Sequence, residues 1–137
     1  LVSNDIQQQV MLRAGNRCEY CQMHQSMQGA TFHVEHIVPR SAGGSDDIGN
    51  LAWACPSCNL HKAGCIAVEL VGMIGQITLY NPRRDRWSDH FQWEDFVLVA
   101  RSDIGRATLG RLNLNHERRL KIRQAEQLFE LFPHEVL

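Results

Sequence analysis

This chain of 137 residues has no apolar stretch of membrane-spanning length, only two lysines, only four prolines and a formal net charge of −1. The most apolar stretch, residues 65–80, is interrupted by Glu69, Gly72, Gly75 and Gln76, which excludes a hydrophobic helix of the roughly 20 residues a bilayer needs. The near-zero charge excludes a grip on nucleic acid through bulk electrostatics alone. The N-terminus lacks the basic start and apolar core of a secretory signal, so the expected location is the cytoplasm. Neither an internal repeat nor a low-complexity segment is present. Hydrophobic residues at 44% and charged residues at 21% describe an ordinary globular chain rather than a disordered one. The length suits one domain, or a small metal-stabilised unit with an appendage.

A disulfide framework is also not expected, because a reducing compartment keeps thiols free or metal-bound. Four of the five cysteines fall into two Cys-x-x-Cys pairs, Cys18-Glu19-Tyr20-Cys21 and Cys55-Pro56-Ser57-Cys58, and Cys65 reads as a small buried hydrophobe. Each pair puts two sulfurs on one tight turn, and two such turns complete a tetrahedron around Zn²⁺. A redox dithiol is the competing use of the motif, but pairs of pairs without a thioredoxin-like βαβ pattern favour structural zinc. The 33 residues between Cys21 and Cys55 exceed what a plain zinc ribbon needs, so something else is built inside the loop.

Local patterns order the elements. Residues 4–14 read as a short helix, capped by Ser3, Asn4 or Asp5 and ended by Gly15-Asn16. Residues 31–35 and 51–54 have strand character, separated by the loop Ser41-Ala42-Gly43-Gly44-Ser45-Asp46-Asp47. Pro56 suits a first helical turn, which predicts a short helix over 56–62. Beyond Gly64 the texture changes. Residues 76–80 and 91–100 read as strands, Ser102 caps a predicted helix over 103–112, and Asn115 caps another that Pro133 ends at about Phe132. The expected division is a unit of residues 1–64 and an extension of residues 65–137 packed on it.

The run His33-Val34-Glu35-His36-Ile37-Val38-Pro39, followed by Gly43-Gly44, Gly49-Asn50-Leu51 and Cys55-x-x-Cys58-Asn59-Leu60-His61-Lys62, resembles the HNH endonuclease family in its zinc-bearing ββα-metal form. The resemblance covers about residues 17–62. Residues 80–84, with Trp87, His90-Phe91 and Gly105-Arg106-Ala107-Thr108, further resemble a tail carried by one bacterial branch of that family. The implied fold class is α+β: a ββα-metal nuclease core held by a four-Cys zinc site, with a C-terminal β-hairpin and helices.

By the same resemblance His36 is the general base that activates water, a task suited to imidazole's ordinary near-neutral pKa. Glu35, where Asp is commoner, would hold a divalent ion that steadies charge on the scissile phosphate and the leaving 3′ oxygen. Asn50 would brace the loop and position the base. The third position is Asn59, with His61 as the alternative ligand. At about 100° per residue these two diverge by roughly 160° around a helix, so one ion does not take both. Lys62 lies about 60° from Asn59, within reach of a phosphate on such an ion. Glu35 with Asn59 is an all-oxygen set suited to Mg²⁺ or Mn²⁺, whereas His61 would shift the preference to Mn²⁺, Ni²⁺ or Zn²⁺. His33 shares a strand face with Glu35 and reads as a partly exposed strand histidine.

Arginines supply twelve of the fourteen basic side chains, and residues 83–123 carry ten bases against six acids. The planar fork of Arg suits phosphate. Arg40 beside the presumed base, Lys62, and Arg83, Arg84 and Arg86 around Trp87 are the expected DNA contacts, although a core Trp flanked by solvated Arg gives the same pattern. The expected activity is metal-dependent nicking of DNA. The alternative is a non-catalytic zinc-stabilised module that binds DNA or protein. A membrane partner is not expected, and cutting both strands would call for a homodimer.

Overall fold

In the computed structural model of the protein, which describes residues 2–135, Ser3 starts the first helix, α1 (Asn4–Arg13), by accepting a hydrogen bond from the Ile6 N–H at 3.3 Å. Gly15 and Asn16, both with positive φ, turn the chain out of it. Arg13 in its last turn donates to the Ile48 and Leu51 carbonyls at 3.0 and 2.6 Å, which ties the helix to the strand behind it. The chain divides into two compact units, residues 1–65 and 66–137.

In the first unit, β1 (His33–His36) pairs antiparallel with β2 (Leu51–Ala54), Glu35 opposite Ala52 and His36 opposite Leu51. The strand starts two residues later than the pattern 31–35 suggests and includes His36. Every residue of β2 is buried, while β1 is buried only at Glu35. The next element, α2 (Pro56–Lys62), opens with Pro56 in the first turn and Cys55 as N-cap, its sulfur accepting from the Cys58 N–H at 3.3 Å. Ala63 and Gly64, at φ 48° and 77°, end it. Strand, loop, strand, helix is the α+β arrangement expected. Val10, Met23, Phe32, Ile37 and Leu51 are among the buried side chains of its core, each contributing about 1.5–3 kcal/mol. Such a core is small for a unit of this length.

The second unit holds β3 (Ala67–Glu69) and β4 (Gln76–Thr78) as one antiparallel hairpin, then α3 (Trp87–His90), a second hairpin of β5 (Phe91–Glu94) and β6 (Val97–Ala100), and the helices α4 (Asp103–Arg111) and α5 (Glu117–Leu128). Three readings of the sequence are corrected. The single strand expected over 91–100 is folded in two, because Asp95 takes a left-handed turn at φ 53°. The partner of β4 is β3, whose three residues are too few to show a period. Asn115 does not cap the last helix, since His116 does so through its ring nitrogen, and the helix stops at Leu128. Instead the Asn115 amide accepts from the Leu98 N–H and donates to the Leu98 carbonyl, both at 2.8 Å, and so completes the edge of β6.

Gly105 of α4 sits where a Cβ would come within 2.2 Å of the His90 carbonyl, and Thr108 accepts from the Tyr80 N–H at 2.8 Å. The Gly105-Arg106-Ala107-Thr108 sequence is therefore packing chemistry. Trp87 is core, with its ring 5.1 Å from Phe91 and 5.6 Å from Trp93. Of the two readings open for Trp87, the core ring is the one the structure shows. Cys65 is only half-buried. Among the described residues no helix is long and apolar enough to cross a membrane.

Candidate active site and metal centre

The four paired cysteines come together as spacing demands. The sulfurs of Cys18, Cys21, Cys55 and Cys58 lie within 4.8 Å of one another, all four residues buried. The first turn closes through Gln22 N–H to the Cys18 carbonyl at 2.9 Å and Cys18 N–H to the Met23 carbonyl at 2.9 Å. Glu19 fastens it to β2, its N–H donating to the Trp53 carbonyl and its carboxylate accepting from the Trp53 N–H, each at 2.8 Å. Burial pushes the Cys18 and Cys58 thiols well above their ordinary range. Four thiolates in so dry a pocket need a cation between them. Four sulfurs gathered this closely fit a thiolate-bound ion.

Around Glu35 the structure departs from expectation. Successive strand residues face opposite ways, and Glu35 turns inward at 6% exposure while His36 turns outward. One carboxylate oxygen of Glu35 accepts from the Tyr20 hydroxyl at 2.6 Å, and the other lies 2.6 Å from the Lys62 ammonium. Burial first, then the Glu35 charge, pushes the Tyr20 phenol well up, so it stays a donor. Lys62 also donates to the Ile37 carbonyl at 2.9 Å and is 2% exposed.

Two expectations are corrected here. Lys62 is not a DNA contact: on α2 it is the residue that looks at Glu35. Glu35, expected as the ligand of a catalytic ion, is buried with the Tyr20 hydroxyl on one oxygen and the Lys62 ammonium beside the other, so a divalent ion there would have to displace that ammonium. The carboxylate as it stands does not fit that ion. Of the two alternative ligands on α2, Asn59 is half-buried and its side chain makes no hydrogen bond among the described residues. His61 bonds the Ser57 carbonyl, one turn back, through Nδ1 at 2.8 Å.

His36 occupies the outward face. Its Nε2 is 2.7 Å from Asp46 Oδ1, and Arg40 Nε donates to the same oxygen at 2.8 Å. Arg40 first, then His36, holds the exposed Asp46 carboxyl down at about 2. A cavity of about 370 Å³ opens here, lined by His36, Arg40, His33, Phe32, Thr31 and Gln7 among others. Asp46 and Tyr20 carry no spacing that singles them out. For Asp46, the only sequence signal is an acid in the loop between His36 and Asn50.

Asn50 organises that loop. Its Oδ1 accepts from the Val38 N–H at 3.0 Å, and its Nδ2 donates to the Val38 carbonyl at 3.0 Å and the Ser45 carbonyl at 2.8 Å. Gly44 is what lets the loop come so close, since a Cβ there would be 1.7 Å from the Val38 oxygen.

The remaining expected contacts lie in the second unit. Arg84 is paired with Asp85 at 3.1 Å, and Arg83 is half-buried. His33 is exposed.

Compared with known proteins, residues 18–63 match the family described as HNH endonuclease. No curated protein and no solved structure matches the chain.

Proposed function

We propose, from the match of residues 18–63 to the family described as HNH endonuclease, that the protein hydrolyses phosphodiester bonds in DNA and nicks one strand per encounter. The observation that carries the reading is the placement of His36: it stands at the end of β1, on the outward face, beside an arginine and an open cavity, on a strand end clamped by Asn50. A buried structural histidine needs none of these surroundings.

His36 takes a proton from a water whose oxygen attacks phosphorus in line with the departing 3′ oxygen. Arg40 donates its Nε to Asp46, which leaves the two terminal nitrogens of its fork for an incoming phosphate. Asn50 keeps strand end and loop in register, so that base and arginine face the same phosphate. The four-Cys centre holds Zn²⁺ and supplies rigidity rather than chemistry. When a divalent ion is bound, it supplies charge stabilisation at the phosphate. With Glu35 closed, Asn59 is the donor on α2 that is free to meet such an ion.

The decisive assay incubates supercoiled plasmid with the zinc-loaded chain and Mg²⁺, Mn²⁺ or Ni²⁺, beside His36→Ala. Metal-supported nicking that the substitution abolishes is the expected result. Nicking that survives His36→Ala, or none with any metal, overturns the reading. The closed Glu35–Lys62 pair favours one other reading, a zinc-stabilised module that binds DNA without cutting it. That reading predicts a gel shift on the same plasmid with no relaxed product. Each chain has one such site, so cutting both strands needs a homodimer or two successive nicks.

A further inference from the structure

Asp46 is the acid nearest the outward ring of His36, and its placement has chemical consequences that rest on the nuclease reading. An ionised carboxylate can only accept hydrogen bonds. With Asp46 Oδ1 2.7 Å from His36 Nε2, that nitrogen must carry the hydrogen. The other ring nitrogen, Nδ1, makes no hydrogen bond among the described residues. We infer that Asp46 is a positioning residue for the reaction: its carboxylate keeps the proton of the neutral imidazole on Nε2 and so makes Nδ1 of His36 the atom that takes the proton from water.

An exposed carboxylate on a free loop would not hold a ring in place, because solvent and side-chain entropy would compete with the contact. This carboxylate is not on a free loop. Arg40 Nε holds the same oxygen at 2.8 Å, which makes a three-membered charged chain. Ser45, its neighbour in sequence, is anchored through its carbonyl to Asn50 Nδ2 at 2.8 Å, and the Asp47 N–H donates to the Ser45 hydroxyl at 3.2 Å. The same Asn50 nitrogen donates at 3.0 Å to Val38, two residues beyond His36. One amide therefore fixes both partners of the Asp46–His36 contact, and the missing Cβ of Gly44 permits that approach.

The same arrangement couples binding to chemistry. Arg40 and His36 share one carboxylate oxygen, so a phosphate that engages the arginine fork meets an imidazole already in the productive tautomer. A triad histidine held in the wrong tautomer loses about 10⁴ in kcat. Here water can partly replace the exposed carboxylate, so the expected loss is smaller.

The test uses the zinc-loaded full chain with ¹⁵N-labelled histidines, His36→Gln serving to assign the ring signals. At a pH where the ring is neutral, wild-type His36 is expected to show a protonated Nε2 and a bare Nδ1. Asp46→Ala should give a mixture of tautomers, and Asp46→Glu should restore the wild-type pattern. In the nicking assay, Asp46→Ala should lower kcat by about ten- to a hundredfold, with a smaller rise in KM from the released Arg40, and Asp46→Glu should recover most of the loss in kcat. A wild-type ring protonated on Nδ1, or Asp46→Ala with unaltered kcat, overturns the inference. A wild type that never nicks overturns the nuclease reading instead, and the tautomer spectra still decide the contact between Asp46 and His36.

Discussion

Glu35 and Lys62 form an ion pair 2.6 Å long with side chains 6% and 2% exposed, which joins the strand bearing His36 to the end of the helix bearing Cys58. Tyr20, inside the first Cys pair, completes it. The pair thus links both halves of the metal centre to the strand that carries the proposed base. Removing one partner strands the other charge in a dry site. Lys62→Met is expected to cost about 3–5 kcal/mol, while Glu35→Gln combined with Lys62→Met should recover much of it. Urea unfolding of the zinc-loaded single and double variants measures both. If Glu35 serves an ion instead, Glu35→Gln will abolish metal dependence and leave the midpoint alone.

Asn50→Ala removes three hydrogen bonds from the strand end and the loop. Stability should fall by about 1–3 kcal/mol. Nicking should fall by about a hundredfold, since a base displaced by an ångström is a poor base. A variant with wild-type kcat would show that the clamp does not position His36.

Gly44→Ala would put a methyl group 1.7 Å from the Val38 oxygen and 3.0 Å from Asn50 Nδ2. The loop must move, at a cost of about 1–3 kcal/mol, and Asp46 moves with it. Reduced nicking together with an altered His36 ring spectrum is the expected pair of results. Gly43→Ala is the comparison: it meets no atom within 4 Å, and its φ of 86° makes it a test of backbone strain rather than of crowding.

Chelation of the zinc should unfold the first unit, because the binding free energy of a structural zinc is largely folding free energy. Bound metal by atomic absorption should be about one ion per chain, matching one four-sulfur centre. Loss of the dispersed amide signals of residues 18–63 on chelation is the readout, and a spectrum that survives removal of the ion would reduce the centre to an accessory.

The pH response of Asp46 has a definite sign. Its carboxyl is lowered from 3.8 to about 2, so its contact with Arg40 and His36 is fully present above the ordinary value and is lost only as pH falls through about 2. Across pH 5 to 9 the carboxylate stays ionised, and no limb of a nicking profile in that range belongs to it. A ¹³C titration of the Asp46 carboxyl that moves between pH 4 and 7 would contradict this.

Local rules carry far in the first unit. Ser3 caps, Gly15 and Asn16 end, Pro56 begins, and the two Cys-x-x-Cys turns are spaced to share one ion, so helix, metal centre and strand order are all legible from neighbours a few residues apart. The second unit is less readable for the same reason. Its first strand has three residues, the turn at Asp95 divides one stretch of strand character into two strands, and Asn115 bonds Leu98 rather than its own helix.

What the sequence by itself determined is therefore the four-sulfur centre, the ββα order and the presence of His36 and Asn50 between the Cys pairs, because spacing, caps and period are local properties. Which side chains meet across that frame was decided only in three dimensions. Lys62 and Glu35 are 27 positions apart in sequence, and Asp46 and His36 are 10. The strand's alternation sent Glu35 inward, where an unpaired charge is too costly to leave alone, and Lys62 was the cation within reach. It sent His36 outward, where a loop closed by one amide supplied Asp46.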